Sequence, residues 1–210
     1  MTKSQHPDGM ESHQEILHPG SRALFRYWES IRGEQAAPSR RDINLRSIGN
    51  YVPSLYIMES AADRRSMIYR LAGSSICNLF KRQLTGAPAF KDWPHFERET
   101  AQRLLEGVVA SLQPCAIRFR LSTPQGHRIG TELIALPILA KTPGIVHVFG
   151  SIMTFSDIPG MGYDRISGVE LSSARVIWTV PVPGDQIAAN LKQNRMQPQL
   201  TVIDGGRRQR

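Results

Sequence analysis

Between residues 114 and 155 the chain alternates apolar with polar side chains and turns twice, a pattern that commits it to antiparallel sheet. Cys115, Ile117, Phe119 and Leu121 alternate with Ala116, Arg118, Arg120 and Ser122, as a strand does when one face lies in a core and the other in water. Thr123, Pro124, Gln125 and Gly126 return the chain into a second strand over residues 127–140. Thr142, Pro143 and Gly144 turn it into a third over residues 145–155. Such a meander needs other elements to cover its apolar face. Gly150, in the middle of the third strand, predicts a bulge or a close backbone approach rather than a reactive element.

The preceding segment supplies the cover. In MIYRLAGSSICNLFKRQLTGAPAFKDW, residues 67–93, Met67, Tyr69 and Leu71 alternate as a strand that breaks at Gly73 into a short helix carrying Ile76, Leu79 and Phe80 on one side. A second strand, SLYIMES, lies just upstream, and the polar residues 60–66 between them read as a hairpin. Pro94 opens the longest helix, because proline is tolerated in a first turn, and Leu104, Leu105, Val108, Val109 and Leu112 give it a buried stripe. Ahead of the sheet, Leu24, Tyr27, Trp28 and Ile31 recur at helical spacing until Gly33. That stripe has two readings, packing on its own domain or pairing with a second copy. Its four residues are the candidate dimer interface.

Length and charge narrow the class. A chain of 210 residues builds one good core with termini to spare. Two cysteines, Cys77 and Cys115, are too few for a disulfide framework and read as buried thiols. No apolar run approaches the roughly 18 residues of a membrane helix, and residues 1–20 lack the apolar centre of a secretory signal, so a cytoplasmic protein with a disordered start is expected. Residues 21–157 form the expected domain. Residues 158–210 are an extension, strand-like over residues 175–182, with a helical pattern over residues 186–195 and a solvated tail, DGGRRQR. The net charge of +8, from 26 basic and 18 acidic residues, suggests acidic partners without choosing among them.

In the order LFRYWESIRG, PSRRDIN, YRLAGSSICNLF, LTG with Trp93, ELIALPI and VFGS, the chain resembles single-domain bacterial PAS proteins of the PAS_5 subtype. The resemblance implies an α+β fold: a five-stranded antiparallel sheet with short helices on one face, an N-terminal amphipathic helix outside it, and the C-terminal extension. It also implies a sensory or regulatory module that dimerises and passes on a ligand or partner signal. Lys81 departs from the pattern, standing where such proteins are expected to carry a glycine; a left-handed backbone there costs a lysine on the order of 1 kcal/mol.

The chemistry of catalysis and cofactors is not in evidence in the sequence. Flavin photochemistry lacks its asparagine, cysteine, arginine run, since Cys77 precedes LTG and only Ala87, Pro88, Ala89 and Phe90 follow it. Haem would need a histidine on a helix lining an apolar pocket, and His95 sits in a first turn. His127 and His147 have no partner at metal-ligand spacing, and Gly160, Met161, Gly162 is a glycine pair without a nucleotide fingerprint. Glu132 is the one acid in an apolar strand segment: a pocket group with a perturbed pKa, or the cross-strand partner of Arg118 or Arg120.

The expectation is therefore a non-enzymatic signalling module with no output domain of its own. It would bind a small ligand, a signalling protein, or both, as a homo-oligomer. The pocket candidates are Cys77, Phe80, Phe90, Trp93, Ile117, Phe119 and Glu132. A nucleic-acid-associated regulator using the basic surface and the tail arginines Arg207, Arg208 and Arg210 ranks below it, and a small hydrolase or isomerase built on Glu132 ranks last.

Overall fold

The computed structural model describes residues 15–60, 66–142, 144–156 and 165–179. Its strands are β1 (Leu55–Ser60), β2 (Met67–Ala72), β3 (Cys115–Ser122), β4 (Arg128–Leu139), β5 (Val146–Thr154) and β6 (Gly168–Val176), and its helices are α1 (Pro19–Arg32), α2 (Ser74–Leu79) and α3 (His95–Ser111). The strands join in one antiparallel sheet in the order β2-β1-β5-β4-β3-β6. The sheet thus holds six strands where five were expected, the additional one coming from the extension beyond residue 157. The expected strand over residues 175–182 is displaced: β6 lies earlier, because its apolar alternation, Val169 and Leu171, breaks at a register shift opposite Arg118 and Phe119.

Both faces of the sheet are buried, which the reading of β3 as half-solvated missed. On one face Cys115, Ile117, Phe119 and Leu121 pack with Ala101, Leu105 and Val108 of α3 and with Ile76 and Leu79 of α2. On the other, Ala116, Ile134, Leu136, Ile138 and Phe149 pack against Leu24, Phe25 and Trp28 of α1. Trp28 is fully buried and its indole Nε1 donates to the Pro137 carbonyl at 2.8 Å. Pro137 is tolerated in β4 because β3 pairs with β4 only as far as Ala135.

The helix stripe proposed for dimer pairing is therefore engaged within the chain: Leu24 and Trp28 are both 0% exposed, and Tyr27 and Ile31 are half-buried at its margin. The physical reason is the second apolar face of the sheet, which must be covered. Of the start expected to be disordered, residues 1–14 lie outside the described residues, whereas residues 15–20 are structured and Ile16 is buried. The extension's helical pattern, its tail and the Gly160, Gly162 pair also lie outside the described residues.

Two backbone expectations hold at atomic detail. A Cβ on Gly150 would drive into the Ile134 carbonyl oxygen and stand 2.7 Å from the Tyr56 hydroxyl, so its place is a close approach. Tyr56 uses that space to donate to the Ile134 carbonyl at 2.9 Å. Lys81 has φ of 53°, the left-handed conformation anticipated for a glycine position.

Candidate functional site

A cleft of about 720 Å³ opens between the segment following α2 and the beginning of β6. Its position follows from local chain geometry. At Lys81 the backbone turns left-handed and releases residues 82–94 from the helix, and three backbone hydrogen bonds, Tyr69 N–H to Ala87 O, Gly86 N–H to Tyr69 O and Ala89 N–H to Met67 O, lash that segment to the outer edge of β2. A second left-handed residue, Phe90 at φ of 60°, turns its ring inward to Trp93, with ring centroids 4.5 Å apart. Trp93 in turn packs on Phe119 of β3 at 4.8 Å. The cleft floor is thus a run of tilted aromatic rings supported from the sheet.

The rim is polar. Arg82 pairs with Asp92 at 2.6 Å across the segment, and Lys81 and Arg165 line the same opening. Tyr69 also lines it; burial holds its phenol protonated, an effect the nearby Arg82 guanidinium partly opposes.

Of the seven pocket candidates, Phe80, Phe90 and Trp93 line this cleft. Cys77, Ile117 and Phe119 belong to the core packed around it; Cys77 is 7% exposed and the other two are fully buried. Both thiols are free, and burial pushes that of Cys115 up to about 12.

Glu132 is the correction. It faces the opposite side of the sheet, beneath the N-terminal segment, because even-numbered residues of β4 point to α1. Its carboxylate is 0% exposed and accepts from Arg118 Nε at 3.1 Å and from the backbone N–H groups of Leu17 and His18, each at 2.9 Å. The cross-strand pairing with Arg118 is the alternative that holds. With its lone pairs engaged by three donors away from the cleft, Glu132 offers no support to a hydrolase or isomerase site.

None of the rim residues Arg82, Asp92 and Arg165 was assigned to a ligand site from the sequence. Arg165 reads as a solvated charge because it precedes a strand whose bulge hides its period. Arg82 and Asp92 are ten positions apart, and only the excursion along β2 brings them together.

Among the described residues no group of three or more His, Cys, Asp or Glu could hold a metal ion, and no helix is long and apolar enough to cross a membrane. The chain matches no curated protein. Residues 16–153 match the family model described as PAS domain, PAS_5, a span that runs from the buried Ile16 through β5 and ends before β6. With the sheet order, the helices over one face and this match across most of its length, the chain belongs to the PAS_5 family and is a sensory, signalling-type PAS domain.

Proposed function

We propose that this PAS domain signals by binding a small organic molecule in the cleft between residues 80–94 and the start of β6, and that occupancy alters its affinity for a protein partner. The observation that carries this reading is the aromatic-floored cleft itself, whose volume of about 720 Å³ lies in the range of small-molecule sites. One wall comes from β6, which is hydrogen-bonded to β3 along its whole length. A ligand touching residues 165–169 therefore bears on the same sheet that supports the N-terminal helix, and can shift an equilibrium by its differential affinity for the two states. The module holds and releases its ligand without transforming it, in a soluble cytoplasmic setting.

Pairing with a second copy needs a surface other than the α1 stripe. Among the described residues the rings of Phe96 and Trp178, 70% and 74% exposed, are the most exposed large apolar groups left for a protein contact. The test is a thermal-shift screen of small organic metabolites, followed by light scattering of the protein with and without each hit. At least one compound is expected to raise Tm by several degrees, and to change the oligomeric state or the affinity for a partner. A screen with no stabilising compound and one unvarying state would remove the reading.

A further inference from the structure

We infer that the cleft selects an anionic amphipath, a molecule whose apolar body is at least one ring in size and carries one or two negative charges at one end. This rests on reading the cleft as a ligand site and adds to it the sign and placement of charge. Among the described residues three cations line the opening, Lys81, Arg82 and Arg165, against the single carboxylate of Asp92. That carboxylate is already held by Arg82 at 2.6 Å, and Arg165 has no ion-pair partner among the described residues. Among the described residues, cations thus outnumber carboxylates at the opening, and the Arg165 guanidinium is the one left for an incoming anion.

The charges are segregated from the apolar surface. Phe90 and Trp93, 2% and 7% exposed, lie deep, whereas Asp92 of the rim pair is 65% exposed at its side chain. An apolar body entering first would stack on the rings and bring its charged end to the guanidinium groups, where arginine can grip a carboxylate, sulfonate or phosphate by two hydrogen bonds. A cationic ligand meets repulsion at the same place. A neutral one of the same shape gains the rings and nothing from the rim.

The two walls have different origins. Arg82 and the rings lie within the span matched by the PAS_5 family, while Arg165 lies beyond its last matched residue, 153. The family fold thus supplies the floor, and this chain's own extension supplies one of the cations that sets charge preference.

The test uses two fluorescent probes with the same ring body, 1-anilinonaphthalene-8-sulfonate and its uncharged counterpart N-phenyl-1-naphthylamine, titrated into the full chain. Saturable binding of the sulfonate, about tenfold or more tighter than the uncharged probe, is expected. Arg165→Ala should weaken the sulfonate about three- to fivefold and leave the uncharged probe unchanged, with Arg165→Glu weakening it further. Arg175→Ala, which removes an exposed cation of β6 outside the cleft, should change neither. Equal affinity for the two probes, or a sulfonate affinity indifferent to both Arg165 variants, overturns the inference while leaving a ligand cleft in place. Absence of saturable binding by either probe overturns the cleft as a ligand site as well.

Discussion

Glu132 and Arg118 tie three parts of the outer face together. Besides the Glu132 carboxylate, the Arg118 guanidinium donates to the Glu15 carbonyl and to Ser173 Oγ, so the N-terminal segment, β4 and β6 share one cation. Glu132→Gln keeps the side-chain shape but leaves Arg118, 20% exposed, without its counter-ion. Breaking such a pair from one side should cost about 3 kcal/mol; a urea midpoint equal to that of the unmutated protein would contradict this geometry. His147 offers a second check. Burial holds its imidazole below the ordinary 6.5, Arg40 and Arg70 add to that, and Glu59, 3.4 Å away, opposes it. The unfolded chain therefore takes up a proton first as pH falls. Stability from neutral His147 is complete above 6.5 and declines below it. His147→Gln should flatten the fall in Tm between about pH 6.5 and pH 5, and an unaltered slope would assign that fall to other groups.

Strands and helices differed in how far they could be read in advance. The three-strand meander was legible because its turns carry Gly126 and Gly144 at φ of 87° and 78°, positions that announce themselves by composition. Helix α1 was legible in extent but not in destination: the same stripe that would suit a partner copy suits the far face of the sheet, and periodicity cannot distinguish them. Residues 115–122 were read as half-solvated because Arg118 and Arg120 look like solvent-facing groups, although Arg118 lies under the N-terminal segment. β6 was misplaced by its bulge, and with it one wall of the cleft. Gly150 shows the opposite case, a single residue whose meaning was clear. Gly150→Ala should lower stability by more than about 3 kcal/mol, since backbone rather than a flexible side chain blocks the new methyl group. Adding Tyr56→Phe to that variant should restore little, because the Ile134 carbonyl remains in the way; full recovery of the denaturation midpoint would identify the hydroxyl as the obstacle instead.

Taken as one body, the molecule is a twice-covered sheet in which the cleft and the Arg118 clamp lie in different layers. The cleft with its rings lies on the α3 side, and the Arg118 clamp lies on the α1 side. β6 and the residues leading into it touch both, through residues 165–169 at the cleft and Ser173 at the clamp. The aromatic floor could be anticipated from local pattern and family resemblance, because Phe80, Phe90 and Trp93 cluster in sequence. The cationic rim could not, because it is assembled from positions more than eighty residues apart. The most direct test follows the amide resonances of the full chain as 1-anilinonaphthalene-8-sulfonate is added. The largest shifts should fall on residues 80–93 and 165–169, with smaller ones reaching Arg118 and Ser173. Shifts concentrated on α1 or around Glu59 and His147, with residues 80–93 unmoved, would contradict the cleft as the place where this PAS domain meets its ligand.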